Sequence, residues 1–333
     1  MCKFCSCLAV VTIALSASPS FGQVLTGGVM RFDGGADGSS WNQANNWEHV
    51  AEPDGTPTSG NPPTPPTNQY TANIPVAGVV LDNTMPGQTA FRVRTGVTTP
   101  GSFTMSGGSL VVTDDVSVGH SAQGTMLMSG GDLTLGDDFF IDEQGNFGST
   151  FTMTGGTLHV IDRIVMGNQG NLVVTGGHIV ADDDFFFFGN STQTIQGGLL
   201  EQFDKLSNGP ATPMGPARLK INGGILRANE WTDNSELGAD DLTRFMSVIE
   251  VNTSGKLQIE ADHFSVALAY DLIAGGRLTT TGSNPLGAKS IVVPLFFGRT
   301  NVAFTEVYVV PEPASLLLLA LGGVALVVRR RNQ

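Results

Sequence analysis

FTMSGGSLVVTDDVSVG, residues 103–119, recurs as MLMSGGDLTLGDDFFID at 126–142, FTMTGGTLHVIDRIVMG at 151–167 and LVVTGGHIVADDDFFFFG at 172–189. The Gly-Gly pairs begin at 107, 130, 155, 176, 197, 223 and 275, and VNTSGKLQIE at 251–260 is similar to a decayed copy. Steps between the first six pairs are 21 to 26 residues long. Self-similarity at such a period is typical of a solenoid, and here it predicts about eight coils.

Each clear unit contains three short segments in which apolar and polar residues alternate. The apolar positions of the second unit are Met126 and Met128, Leu133 and Leu135, and Phe139 and Ile141. Alternation with period two predicts strands with one buried face. Three such strands bury their apolar side chains only when coils stack at a spacing of about 4.8 Å. We therefore predict an all-β chain folded as a right-handed parallel β-helix, with a β-sandwich as the alternative.

The corners between the segments have their own residue types. Gly-Gly lies where the first segment must bend into the second, and glycine adopts a positive φ at little cost. An Asp-Asp pair or a single aspartate marks the next corner, where its side chain can bond to the local backbone. A β-sandwich would not predict the same corner residues at one period.

The regions that flank the repeats are different. SSWNQANNWEHV at 39–50 is followed by a Pro-rich run at 52–66, and we interpret residues 23–100 as an N-terminal cap in which Trp41 and Trp47 cover the open end. Stacking of these tryptophans on carbohydrate is the alternative. Within the repeats at 101–309, residues 229–245 indicate a loop or short helical insertion, and alternation at 291–310 predicts closing strands.

The beginning of the chain is typical of a signal peptide. Lys3 is followed by an apolar core at Leu8–Ala17, and small residues suit cleavage before Gln23, so we assign residues 1–22 to it. All three cysteines precede that core, at Cys2, Cys5 and Cys7. The exported chain would then have no disulfide, and its stability must come from packing.

Charge excludes one class of partner. Without Lys3, Glu312 and Arg329–Arg331, the 17 basic and 30 acidic residues fall to 13 and 29, which gives a body of −16. Such a surface repels polyanions, so we expect no nucleic-acid partner.

The end of the chain, VPEPASLLLLALGGVALVVRRRNQ at 310–333, resembles the PEP-CTERM sorting signal. Pro311, Glu312 and Pro313 form the motif, an apolar span at 314–328 follows, and Arg329, Arg330 and Arg331 form the basic tail. The resemblance implies export through the Sec machinery, transient anchoring in the inner membrane by a C-terminal transmembrane helix, processing by exosortase, and release to the cell surface or extracellular matrix. The positive-inside rule independently keeps the arginines in the cytoplasm. A permanent membrane anchor without processing is the alternative.

The body resembles repeat-rich exported bacterial proteins that combine a W-N-x-x-x-N-W opening with GG-containing, autotransporter-like or pectin-lyase-like coils. Here that opening runs from Trp41 to Trp47. The Pro-rich stretch departs from the pattern as an insertion.

The aspartates are the best candidate for chemistry. Asp114/Asp115, Asp137/Asp138, Asp162 and Asp183/Asp184 occupy equivalent corners. Stacked carboxylates repel, and a calcium ion on Asp115, Asp138, Asp162 and Asp184 would relieve that repulsion; solvated corners without an ion are the alternative. We expect Arg163 to neutralise its acidic neighbours.

No residue is assigned a catalytic role. The five histidines, 49, 120, 159, 178 and 263, have no metal-ligand spacing, and Phe185–Phe188 indicates core packing plus one outward aromatic stack. We expect a non-enzymatic, exported structural scaffold that associates with exopolysaccharide. The alternative is a carbohydrate-active β-helix enzyme, a polysaccharide lyase or hydrolase, with a basic residue poised over carboxylates in a cleft.

Overall fold

The computed structural model describes residues 28–50, 57–59, 65–85, 87–208, 217–232, 248–296 and 298–311. Strands make up about 54% of the described residues, which contain one α-helix, so the predicted all-β class is confirmed. The first strands are β1 (Gly28–Phe32), β2 (Trp47–Val50), β3 (Pro57–Ser59), β4 (Tyr70–Ile74), β5 (Val79–Leu81), β6 (Gln88–Ala90), β7 (Arg92–Thr95), β8 (Gly101–Val112), β9 (Val116–Val118), β10 (Gly124–Leu135), β11 (Phe139–Ile141), β12 (Thr150–Met153) and β13 (Thr157–Val160). They are followed by β14 (Ile164–Met166), β15 (Asn171–Val174), β16 (His178–Ala181), β17 (Phe185–Phe187), β18 (Thr192–Ile195), β19 (Leu199–Asn208), β20 (Arg218–Ile221), β21 (Ile225–Thr232), β22 (Val248–Val251), β23 (Lys256–Glu260), helix α1 (Val266–Ala274), β24 (Leu278–Thr279), β25 (Leu286–Phe296) and β26 (Arg299–Val309). A short 3-10 helix, Ala44–Asn46, precedes β2.

The strands stack in parallel on three faces of a solenoid. The first face lies before each Gly-Gly corner, the second face lies between that corner and the aspartates, and the third face follows the aspartates. Equivalent residues lie in register, as in Met126↔Phe151 on the first face and Leu133↔Leu158 on the second. Parallel pairing of consecutive coils confirms the β-solenoid and excludes the β-sandwich; the handedness stays a prediction.

A continuous apolar column fills the solenoid. The side chains predicted to point inward in the second unit are all at most 1% exposed: Met126, Met128, Leu133, Leu135, Phe139 and Ile141. Each such side chain contributes about 1.5–3 kcal/mol by its removal from water. Because every coil adds a similar set above the last, the stack buries a core that no single coil could form.

The Gly-Gly corners have the conformation that the sequence predicts. Gly156 has a φ of 86°, and a Cβ placed there would lie 2.5 Å from the carbonyl oxygen of Gly131 in the preceding coil. Both the left-handed backbone and the close stacking of corners therefore require glycine. The solenoid has about six turns, fewer than the eight predicted coils.

One predicted corner is wrong. Gly275 and Gly276 end helix α1, where the Gly275 N–H donates to the Asp271 carbonyl and Gly276 has a φ of 71°. This pair precedes β24 on the first face, whereas the true corners follow first-face strands. The decayed copy at 251–260 is confirmed, since Thr253 takes a positive φ of 49° between β22 and β23.

The N-terminal region covers the first coil. Strand β1 pairs in parallel with β4 and antiparallel with β2. Trp41 and Trp47 are fully buried, their ring centroids lie 4.9 Å apart, and Trp41 lies 5.5 Å from Phe103. Their burial confirms a covering role and leaves no ring face for carbohydrate, so the stacking alternative is wrong.

Two predicted boundaries need correction. The parallel ladders begin with the pairing of β1 and β4 rather than after residue 100, and residues 70–95 already supply strands to all three faces. The segment 57–59 within the Pro-rich run is strand β3, paired with β2. Of the predicted insertion at 229–245, residues 229–232 complete β21, and 233–245 lie outside the described residues.

Closing strands are present as predicted. Strands β25 and β26 form an antiparallel hairpin, and β26 also pairs antiparallel with β23, so the second face ends in a reversed strand that covers its edge. Farther from β23, the hairpin tip approaches the outer side of the second face, where Phe296 lies 5.0 Å from Phe203.

The predicted signal peptide and the predicted C-terminal sorting signal lie largely outside the described residues. Residues 1–22 and 312–333 are not among the described residues, and of the sorting motif only Pro311 is. In the described part of the chain, no helix combines the length and apolar character that crossing a membrane requires.

Candidate functional site

The predicted aspartates lie in one stack of turns, between the second and third faces, which we call the acidic corner. Of the predicted calcium ligands, however, only Asp138 and Asp162 share a group, whereas Asp115 and Asp184 belong to two others. Carboxylate oxygens converge to within 4.8 Å of one another in three groups: Asp114, Asp115 and Asp137; Asp137, Asp138 and Asp162; and Asp183, Asp184 and Asp204. Asp204 was not predicted, because its unit lacks an Asp-Asp pair and only the coil register aligns it with Asp183.

Two arginines neutralise one end of this corner. Arg92 contacts Asp114 at 2.6 Å and Asp115 at 2.7 Å. Arg163 donates from Nε and Nη2 to the two oxygens of Asp138, at 3.1 and 3.0 Å, and lies 3.4 Å from Asp162. The expected role of Arg163 is thereby confirmed.

Burial shifts the acidity of the corner. Desolvation raises the pKa of Asp115 to about 6; the Arg92 charge opposes the rise, and Asp114 and Asp137 add to it. Desolvation likewise raises the pKa of Asp184 to about 6, and the charges of Asp183 and Asp204 raise it further. Ionisation of all the carboxyl groups of the corner therefore destabilises the folded state.

The interpretation of these corners as simply solvated is wrong for part of the stack. Asp138 is only 7% exposed, and its bidentate contact with Arg163 is partly buried. The other predicted aspartates are half-buried. Three converging oxygen donors are the type of group that calcium prefers, and calcium on Asp115, Asp138, Asp162 and Asp184 stays a prediction.

A groove lies on the outer side of the second face, and no sequence pattern predicted it. It has a volume of about 530 Å³ and is lined by Thr157, His159, His178, Val180, Asp182, Glu201, Phe203, Phe296 and Gly298. Strands β13, β16 and β19 supply the floor, and the hairpin tip supplies Phe296 and Gly298. The two histidines occupy different positions in their units, but both are outward-facing positions, so the stacked register places them in one groove.

Each histidine in the groove is hydrogen-bonded to a carboxylate of the next coil. His159 Nε2 lies 2.9 Å from Asp182 Oδ2, and His178 Nε2 lies 2.7 Å from Glu201 Oε2. Both imidazoles are 39% exposed. Within the described residues, neither Nδ1 has a hydrogen-bond partner, so each ring keeps one nitrogen for another group.

Glu201 begins a row of polar contacts that we call the charge-paired ladder. It accepts a hydrogen bond from Arg227, whose Nε donates to Gln258 at 2.9 Å. Gln258 donates in turn to Glu306 at 2.7 Å, and Lys289 lies 3.1 Å from the same carboxylate. The ladder thus connects β16, β19, β21, β23 and the closing hairpin.

Pairing lowers the pKa of the carboxylates in this ladder. Burial by itself raises the pKa of Glu201, but the hydrogen bond from His178 and the charge of Arg227 outweigh it, and the net shift is downward. The same balance holds at Glu306, where burial is outweighed by Gln258, Lys289 and Lys256. These carboxylates are therefore ionised and held in place at neutral pH.

The phenylalanine run divides as predicted. Phe185 and Phe187 are 1% exposed and belong to the core, whereas Phe186 and Phe188 point outward with ring centroids 6.4 Å apart. A smaller groove of about 220 Å³ borders Phe188, Phe140 and Asn168 on the third face.

Comparison with known proteins identifies one element. Residues 309–331 match the family model of the PEP-CTERM protein-sorting motif. No curated protein and no solved structure matches the chain.

Proposed function

Because the PEP-CTERM motif marks the chain as an exported protein sorted by exosortase, we propose that its solenoid is a non-enzymatic scaffold of the cell surface or extracellular matrix, associated with exopolysaccharide. The sorting motif is the observation that carries this proposal. It assigns the chain to a route that ends outside the cytoplasm, where a long, cysteine-free repeat body suits a structural role.

The shape and charge of the body support that role. About six turns, at about 4.8 Å each, form a rod roughly 30 Å long with a fully buried column. The formal charge of the chain is −13, which favours solubility and repels other polyanions. Stability comes from repeated apolar packing, which needs neither a cofactor nor a disulfide.

The proposed route has three steps. Residues 1–22 direct export through the Sec machinery, the apolar span at 314–328 holds the chain in the inner membrane, and exosortase processes it near Pro311–Pro313. Arg329–Arg331 stay on the cytoplasmic side under the positive-inside rule.

Replacement of Arg329, Arg330 and Arg331 together by glutamine tests the route. We expect more unprocessed protein and less surface-associated protein, measured by intact mass and cell fractionation. Arg218→Gln is a control, because Arg218 is an exposed body residue. Unchanged mass and fractionation of the triple variant would argue against the sorting role.

A second candidate function is polysaccharide cleavage at the groove. It is favoured by two carboxylates, Asp182 and Glu201, each beside a histidine. Glycoside hydrolysis, however, needs an acid with a raised pKa, and the pKa of Glu201 is lowered. Release of new reducing ends or unsaturated products from polysaccharide by wild-type protein, and not by Glu201→Gln, would establish the enzyme in place of the scaffold.

A further inference from the structure

The groove between the second face and the hairpin tip has the surface chemistry of a binding site. Its volume of about 530 Å³ lies in the range of small-molecule sites, about 300–1,000 Å³. Phe203, half-buried on β19, supplies the apolar surface, and its ring packs edge-on against the buried Phe296 of the hairpin tip, with ring centroids 5.0 Å apart. The strands of the same face carry the two histidine–carboxylate pairs beside Phe203.

These groups match a ligand that is both apolar and hydroxylated. A sugar ring has an apolar face of C–H groups that packs on aromatic rings, and its hydroxyls both donate and accept hydrogen bonds. Asp182 and Glu201 are acceptors, and the Nδ1 atoms of His159 and His178 have no other partner among the described residues. A purely apolar ligand would instead remove these polar groups from water without compensation.

Charge decides between classes of saccharide. An acidic chain would bring its carboxylates against Asp182 and Glu201 and against a body of net negative charge. Cations have better places elsewhere, since the converging acidic groups of the described residues all lie at the acidic corner. A neutral chain meets neither obstacle, and the groove is open to solvent beside the half-exposed imidazoles.

We propose that this groove binds a segment of a neutral polysaccharide. The inference rests on the proposed association with exopolysaccharide and names the site and ligand class. Phe203, supported from behind by the buried Phe296, packs against the apolar face of the sugar, and His159 and His178, oriented by Asp182 and Glu201, bind its hydroxyls.

Affinity electrophoresis of the full chain in native gels with dextran or hydroxyethylcellulose tests the site. We expect retardation of wild type, and about tenfold weaker association for the double variant His159→Gln/His178→Gln, the loss that two modest hydrogen bonds give. Glutamine keeps a donor for Asp182 and Glu201. Phe203→Leu, which removes the aromatic face but keeps bulk, should weaken association by a similar factor.

The chain offers a matched control. His120 lies 2.6 Å from Glu143 in a pair of the same kind, but neither residue lines this groove, so His120→Gln should bind like wild type. Circular dichroism and thermal melting identify any variant that has lost its fold.

The outcomes separate the site from the function. Wild-type binding with unchanged binding by folded groove variants would overturn the site and leave the polysaccharide association in place. Tighter binding of polygalacturonate than of dextran and hydroxyethylcellulose would overturn the preference for a neutral chain. Absence of wild-type binding to all these polymers would overturn both the site and the association.

Discussion

The acidic corner and the charge-paired ladder are built by the same stacking, yet they differ in electrostatic character. In both, successive coils place outward side chains close above one another. At the acidic corner, carboxylate follows carboxylate, and the pKa of Asp115 and that of Asp184 rise to about 6. In the ladder, every carboxylate meets a cation or a donor, and the pKa of Glu201 and that of Glu306 fall.

The difference shows what a solenoid requires of its surface. Stacking brings equivalent positions together whether or not they attract, so an unvaried repeat of an acidic residue accumulates repulsion. The ladder avoids this cost because the equivalent positions of three successive coils are occupied by Glu201, Arg227 and Gln258, and His178 contacts Glu201 from a neighbouring position. At the corner, the equivalent position is basic in three coils, as Arg92, Arg163 and Lys205, and aspartates occupy the coils between them.

The largest effect is expected at the centre of the ladder. Glu201→Ala leaves Arg227, 12% exposed, without its carboxylate, and removal of one partner of a buried pair costs about 3–5 kcal/mol. We expect the free energy of unfolding in urea to fall by about 3 kcal/mol at pH 7. Because pairing lowers the pKa of Glu201, this contribution is present above its unfolded pKa and is lost as pH falls through the folded value.

Lys256→Ala is the matched control for the ladder. Its ammonium lies 3.5 Å from Glu306 but is 44% exposed, so its loss should cost less than about 1 kcal/mol. Equal effects of the two variants would show that the ladder adds no more than surface pairs.

A smaller effect is expected where arginine relieves the acidic corner. Arg163→Met leaves the buried carboxylate of Asp138 without its bidentate donor, and we expect a loss of about 2 kcal/mol at pH 7 in urea unfolding. Acid should reduce the loss, because a protonated Asp138 no longer needs a cation. Arg163→Lys keeps the charge but loses the bidentate contact, so its free energy of unfolding should lie between those of wild type and Arg163→Met. If Arg163→Met were as stable as wild type, the role of Arg163 would be contradicted.

The smallest effect has the opposite sign. Asp184→Asn removes one charge from the group with Asp183 and Asp204. In wild type the Lys205 N–H donates to Asp184 Oδ1 at 3.2 Å, and the amide oxygen of asparagine can still accept this hydrogen bond. The rise in the pKa of Asp184 from 3.8 to about 6 corresponds to a destabilisation of about 3 kcal/mol when the carboxyl is ionised, and solvent screening reduces this to about 1 kcal/mol. We expect the variant to be about 1 kcal/mol more stable than wild type at pH 8.

The pH dependence gives the control for that gain. A raised folded pKa means that wild type is favoured below the unfolded pKa near 4 and loses that stability as pH rises through about 6. The advantage of Asp184→Asn should therefore vanish below about pH 4. Millimolar calcium at pH 8 should raise the melting temperature of wild type and not of the variant if a cation relieves the same group; a gain that is constant with pH would contradict the electrostatic cause.

Much of the architecture could be predicted from local patterns. Alternation identified the buried residues of the clear coils, glycine pairs identified six corners, and the aspartates were correctly placed at a common edge. Gly275–Gly276 failed because the same dipeptide also ends a helix, where a left-handed glycine is equally suited. Helix α1 was not predicted, because its nine residues lie between the decayed copy at 251–260 and Gly275–Gly276, which was interpreted as the corner of a further coil.

The sequence by itself determined which side chains point inward. Apolar and polar residues alternate along each strand, and the chain bends at glycine, so the apolar side chains can be buried only in one central column. It also determined the sorting motif, which is a local signal. Only the tertiary structure decided which outward residues meet. Coil lengths vary, and the hairpin at 286–309 returns to a face formed more than a hundred residues earlier. Contacts such as Glu201 with Arg227 and Phe203 with Phe296 therefore depend on cross-coil register and hairpin closure, which no repeat unit contains.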